Sequence, residues 1–228
     1  MICQKIEKVL ADIQQAAVQS QREPKEIKLV AVSKKMPPEA ITRAQQCGQM
    51  IFGENYIQEA RSKIEQLDPQ LNWHFIGHLQ SNKAKEAARM FQMVETVDRL
   101  KIARALDRHA GNYGRSLEIL IQVNIGKESQ KSGVPPEQTS QLLQNMQELK
   151  NLRIRGLMTT PPYGRQAEKC RPWFRSLKRI SQQCAEKRLF YDNDQVELSM
   201  GMSGDYKVAI EEGATIIRVG TAIFGSRL

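Results

Sequence analysis

The sequence predicts an α/β protein: a single (β/α)8 barrel of the TIM type with an extra N-terminal helix, spanning residues 1–228 as one domain. Three observations predict it. Short apolar runs rich in branched residues alternate with helical stretches along the whole chain, the pattern of buried parallel strands joined by crossover helices. The turn after the first run, LVAVSKKMPP, holds no glycine, whereas an open doubly wound sheet usually carries a Gly-rich turn there. The last run is followed only by TAIFGSRL, too short for a full outer helix, so the N-terminal helix is expected to cover that gap.

Each element has its own warrant. Ile6, Val9, Leu10, Ile13 and Ala17 recur at helical spacing and make the first twenty residues an amphipathic helix. Apolar runs follow at 29–33, 50–53, 73–77, 93–97, 117–125, 154–159, 196–200 and 215–220. Helical stretches lie between them at 37–46, 55–67, 82–90, 99–109, 136–149, 165–187 and 205–212. Pro37-Pro38 and Pro135-Pro136 suit first turns, Asp98 and Asp205 suit N-caps, and Gly213 suits a helix stop.

The bulk composition bounds the function. With 40% hydrophobic and 26% charged residues in 228, the chain is ordinary for a globular domain able to bury a full core. Its net charge of +9 favours anionic partners: nucleic acid, a membrane surface or a phosphate-bearing small molecule. A lysine-rich solvated surface explains the charge more simply than a nucleic-acid footprint, so no nucleic acid is expected. Cys3, Cys47, Cys170 and Cys184 form no CxxC pair, and nothing signals a zinc site or a secreted disulfide scaffold. The N-terminus lacks a signal-peptide core and no apolar run approaches a membrane span, so a soluble cytoplasmic protein is expected.

In such a barrel the reactive face lies at the C-terminal ends of the strands. There the sequence places Ser33-Lys34, Glu54-Asn55, His78, Asp98, Asn124, Thr159-Thr160, the MGMSG turn and Gly220-Thr221. The turns after the last two runs expose backbone N–H groups, and phosphate sites in these barrels are frequently built from those loops. A lysine at a strand mouth near low-dielectric walls is a candidate amine nucleophile. The residues alone do not separate Lys34 from Lys35 for that role. Arg218 stands inside an otherwise apolar run, where a guanidinium needs a partner. Lysine, phosphate cradle and buried arginine together fit pyridoxal 5′-phosphate, through a Schiff base, its phosphate and its pyridine nitrogen.

Weaker patterns add little. His74 and His78 stand four apart, but on a strand and its loop rather than on one helix face, which disfavours a zinc pair. Gly126-Lys127-Glu128-Ser129 lacks the glycines and the GK[ST] run of a P-loop. Lys83, Lys85, Arg89, Arg99 and Lys101 read as a solvated basic face.

The stretches LVAVSK, FGENYIQEA, WHFIGHLQSNK, GLMT, LSMGMSGDY and IRVGTAIFG run in order from residue 29 to 225. In these the chain resembles the pyridoxal-phosphate homeostasis protein family. The resemblance implies a barrel like the N-terminal domain of alanine racemases, with Lys34 of AVSK holding the cofactor as an internal aldimine. It also implies phosphate contacts from Ser203, Gly204, Gly220 and Thr221, Arg218 facing the pyridine nitrogen, and Asn55 and Met200 lining the cofactor. Family members are thought to buffer or deliver the cofactor, apo-enzymes being possible recipients, and have no established turnover. Two positions depart from the common pattern: Lys35 where many members have threonine, and His78 where many have proline.

A racemase-like enzyme is the competing reading. An arginine does not readily give up its proton, so a ring nitrogen facing Arg218 stays unprotonated and the ring is a poor electron sink. Racemisation also needs a second acid/base on the far face, for which Tyr56, Tyr163 and Tyr206 are the candidates. With the barrel using all 228 residues, a monomer without a second domain is expected.

Overall fold

The strands pair in parallel with their neighbours in chain order, and the last returns to the first, closing the barrel. This computed structural model describes residues 1–162 and 166–225. The strands are β1 (Lys28–Val32), β2 (Ile51–Glu54), β3 (Asn72–Phe75), β4 (Met93–Val97), β5 (Leu117–Gln122), β6 (Leu152–Met158), β7 (Glu197–Met202) and β8 (Ile216–Val219). The helices among the described residues are α1 (Ile2–Gln19), α2 (Pro38–Gln46), α3 (Ile57–Ile64), α4 (Ala84–Met90), α5 (Leu100–Asn112), α6 (Thr139–Asn145), α7 (Ala167–Glu186), α8 (Tyr206–Glu211) and α9 (Thr221–Phe224).

The alternation in the sequence thus becomes a closed barrel, and the differences lie at element ends. The run at 117–125 leaves the regular strand at Gln122; Val123 N still donates to the Met158 carbonyl, and Val123 bridges Val134. The chain there turns into a loop in which Asn124 Nδ2 donates to the carbonyls of Glu128 and Lys131. The stretch at 136–149 opens as a 3-10 turn, Pro136–Gln138, before α6. Arg99 rather than Asp98 is the N-cap of α5. Asp205 is the N-cap of α8, and its carboxylate accepts from Met202 N at 2.7 Å, bracing the turn instead of capping helix amides. Gly213 follows α8 with a φ of +102°, a conformation open to glycine at little cost. Residue 165, where the long helix is expected to begin, lies outside the described residues.

Apolar side chains sort into two compartments. The larger lies between the strands and the helix layer and includes Phe52, Trp73, Phe75, Phe91 and Phe174. The smaller is the plug inside the barrel: Val30, Met93, Leu120, Met158 and Ile216, with Ile51 against it. The two exist because neighbouring strand residues point to opposite faces.

α1 takes the place of a long helix after β8. It buries Ile6, Val9, Ile13, Ala16 and Ala17, while Leu10, at the edge of that stripe, is 48% exposed. The helix packs on α8, α9 and α2. Asp12 accepts from the Tyr206 hydroxyl at 2.6 Å and from Lys207 Nζ at 2.7 Å. Cys3 of α1 and Cys47 at the end of α2 form a disulfide, a pairing for which the sequence carries no local signal.

The disulfide joins residues 44 apart, so chain-entropy arguments give it a stabilisation of up to about 4 kcal/mol. Reduction, or Cys47→Ser, is expected to lower the thermal midpoint by several degrees in a melt with and without a thiol reductant. An unchanged midpoint would show that the bridge contributes nothing.

Candidate functional site

Lys34 lies two residues beyond β1, Asn55 directly after β2, Ser203 and Gly204 directly after β7, and Gly220 and Thr221 directly after β8. Because the barrel closes β7–β8–β1–β2 in that order, these residues share one contiguous half of the barrel mouth. Lys34 is partly buried, whereas Lys35 is exposed with a left-handed φ of +61°.

The turns after β7 and β8 meet through one hydroxyl. Ser203 Oγ accepts from the backbone N of Gly220 at 3.2 Å and of Ala222 at 3.3 Å. Two amides therefore already converge on one oxygen, as an oxyanion would require. Gly204 is exposed, and a Cβ placed there meets nothing within 4 Å, so the approach to this turn is open. Thr221 is exposed at the start of α9.

Asn55 is held by a close approach. A Cβ on Gly77 would fall 2.1 Å from the Asn55 carbonyl oxygen, so only glycine lets the loop after β3 pass there. The Asn55 Oδ1 atom is buried without a hydrogen-bond partner, which is costly unless a donor arrives. Met200 is wholly buried in the large core.

Beneath the mouth runs a buried polar network. Arg218 Nη1 donates to Ser199 Oγ, and Nη2 donates to the Thr159 carbonyl at 2.8 Å and to Thr160 Oγ1 at 3.3 Å. Ser199 Oγ donates to Glu95, whose other oxygen pairs with His74 Nδ1 at 2.7 Å. Along β4 and β8 the network stands one pleat above the plug, Glu95 after Met93 and Arg218 after Ile216. Burial lowers the pKa of the Arg218 guanidinium, against the charges of Glu95 and Asp205. Burial would raise the Glu95 carboxyl, but the hydrogen bond and charge of His74, with Arg218 and Ser199, outweigh it and the pKa lies below its ordinary value.

The sequence singles out Arg218 and His74 but passes over Glu95. MVETV reads as a plain apolar run; its signal is that Glu95 shares the inward parity of Met93. His78 stands further out, with Nδ1 2.9 Å from Ser132 Oγ. Of the proposed acid/base tyrosines, Tyr206 turns its hydroxyl outward to Asp12, and burial and that carboxylate push its pKa up. Tyr56 is 54% exposed as the N-cap of α3, and Tyr163 lies outside the described residues.

These residues fit a phosphate-bearing aldehyde. The mouth offers a lysine, an oxyanion turn, a buried acceptor on Asn55 and a fixed guanidinium below. The family model for the N-terminal domain of alanine racemase matches residues 8–228. A pyridoxal phosphate homeostasis protein of Vibrio cholerae is 45% identical, covering 99% of this chain and 96% of that protein.

The chain belongs to the pyridoxal phosphate homeostasis protein family. Another member of the family, from Aquifex aeolicus, is 41% identical over 99% of this chain and 98% of its own length. PipY of Synechococcus elongatus, solved with PLP bound, superposes with a TM-score of 0.85 at 37% identity over 99% of this chain and all of that one. An alanine racemase of Clostridium difficile shares the fold at 13% identity, with a TM-score of 0.72, and this chain covers 57% of it. The likeness of this chain to that racemase is one of fold. No helix among the described residues is long and apolar enough to cross a membrane.

The low pKa of Glu95 sets an acid limit. Its stabilising contribution is complete above the ordinary value of 4.5 and is lost as pH falls through its lower folded value. Chemical unfolding at pH 6 and pH 3 should show a smaller loss of stability in Glu95→Gln than in the parent. An equal loss would remove Glu95 from the acid response. Gly77→Ala should displace Asn55 and weaken ligand binding about tenfold or more; calorimetry showing parental affinity would contradict the close-approach argument.

Proposed function

We propose that this protein is a non-catalytic carrier of pyridoxal 5′-phosphate, serving vitamin B6 homeostasis within the cell. The observation that carries the reading is the convergence of Lys34 with the Ser203–Gly220–Ala222 oxyanion turn on one side of the mouth. Its relatives' name and the PLP-bound PipY structure support it.

When bound, pyridoxal phosphate supplies an aldehyde that condenses with a primary amine, its carbonyl oxygen leaving as water. Lys34 provides that amine as the Schiff-base residue. Ser203, the amides of Gly220 and Ala222, and the open backbone of Gly204 hold phosphate oxygens, with Thr221 at the rim. Asn55 brings its partnerless Oδ1 to the ligand, and Met200 backs β7 from the core. Arg218, braced by Ser199 and Thr159, faces the ring nitrogen as a permanent donor, keeping no proton on that nitrogen.

A carrier needs capture without turnover. The Tyr206 hydroxyl is committed to Asp12 on the helix side, away from the barrel interior, which takes Tyr206 out of the role of second acid/base. The ligand itself is the defined partner; apo-enzymes that accept pyridoxal phosphate are its recipients, and the protein acts as a monomer.

The purified protein should be yellow and should yield a borohydride-fixed adduct on the Lys34 peptide. A full-stoichiometry adduct persisting in Lys34→Ala would overturn the lysine assignment. Ser203→Ala should weaken cofactor retention by about tenfold, as loss of a hydrogen bond to a charged group predicts; parental retention would remove the cradle. Enzyme-like racemisation of amino acids by the purified protein would replace the carrier reading with the racemase one.

A further inference from the structure

Beside the Lys34 turn, on the outer face of β1 and β2, lies a second buried ionic cluster. Lys63 of α3 is 4% exposed, and its ammonium makes three hydrogen bonds of 2.7 Å. The acceptors are the Ser33 carbonyl, Glu54 Oε1 and Glu59 Oε1. All three ammonium protons are thereby committed. Glu54 Oε1 also accepts from the Ser33 hydroxyl at 2.6 Å, and Glu59 Oε1 accepts from the backbone N–H of Lys35.

The pattern of these contacts is informative. Three of the bonds end on the residues immediately before and after Lys34. The turn itself is tight, with Met36 N donating to the Ser33 carbonyl at 3.0 Å, and Lys35 is left-handed without being glycine. Such a conformation persists only where surrounding contacts hold it. Glu59 supplies one of them.

The cluster is poorly suited to stability alone. A buried lysine with two carboxylates is often no more stabilising than apolar residues of the same volume. Glu54 Oε2 is buried with no hydrogen-bond partner, and burial raises the pKa of that carboxyl despite Lys63 and Ser33. What the arrangement secures is position.

We propose that Lys63, Glu54 and Glu59 form a clamp on the residues either side of Lys34, fixing the direction in which its amine enters the barrel mouth. They are positioning residues for covalent capture of a carbonyl ligand by Lys34. The proposal rests on the carrier reading, since it assumes that Lys34 is the capturing amine. Misplacing a reacting group by about an ångström costs about a hundredfold in rate, so a loosened turn should slow capture while leaving the phosphate and ring contacts intact.

The test separates capture from binding. Ligand-free full-length parent, Lys63→Met and Glu59→Gln are mixed with pyridoxal phosphate and quenched with borohydride over time. Intact mass and peptide mapping then report the adduct on Lys34. Calorimetry with pyridoxine 5′-phosphate, which has an alcohol in place of the aldehyde, reports the remaining pocket. The clamp predicts capture slowed by about tenfold or more in both variants, with analogue affinity within about threefold of the parent. Lys63→Arg, which keeps the charge and donors, should recover part of the rate. Parental capture rates, or capture and analogue affinity falling by one common factor, would overturn the clamp. If Lys63→Met does not fold, Glu59→Gln decides alone, because Glu59 is only partly buried. A parent protein that gives no adduct on Lys34 would instead sink the carrier reading, and the clamp with it.

Discussion

Four residues of β1 pair in register with four of β8, from Lys28 with Ile216 to Ala31 with Val219. The juxtaposition of Lys34 with the oxyanion turn depends on this seam. It sets the mouth of β1, with Lys34, beside the mouth of β8, with Gly220. β7 then brings Ser203 to the amides of that last turn. Without the seam, a lysine near the start of the chain and an oxyanion turn near its end share no geometry. α1 lies outside the same closure, on α8, α9 and α2, and the Cys3–Cys47 disulfide ties it to the β1 side.

Below the mouth, two ionic clusters divide the work by face. The inward one joins β3, β4, β7 and β8 through His74, Glu95, Ser199 and Arg218. The outward one joins the β1 turn, β2 and α3 through Ser33, Glu54, Lys63 and Glu59. The pKa values of Glu95 and Glu54 are displaced in opposite directions. Glu95 is held ionised by its neighbours, whereas burial prevails at Glu54. The first contributes stability that acid removes. The second contributes stability present in acid and lost as pH rises through its folded pKa.

Much of this was legible in the sequence, for definite reasons. Alternating apolar runs and helical stretches specify a parallel α/β architecture because crossover helices bury both faces of a parallel sheet. Lys34, Ser203 and Gly220 stand out because polar and glycine residues at strand ends are unneeded for packing, and Arg218 because a guanidinium in an apolar run needs partners. Those partners proved to be Ser199, Thr159 and Thr160 of this chain. Glu95 escaped notice because one carboxylate in MVETV does not break an apolar run. Lys63 escaped because lysine in IQEARSKI normally marks a solvated helix face; its burial arises only when α3 packs beside β1 and β2. The disulfide joins positions 44 apart, and only the packing of α1 on α2 brings them together.

The placement of the site across the seam has a thermodynamic corollary. A ligand held at once by Lys34 on one side and the Ser203–Gly220 turn on the other engages only the closed barrel. By mass action it then favours the closed form over any state in which β8 has parted from β1, by RT ln(1 + [L]/Kd), or about 2.7 kcal/mol at one hundred times Kd. On the proposed carrier reading, cofactor level and barrel cohesion are therefore linked quantities. A chain that gave up such a ligand would also relax the joint between β8 and β1.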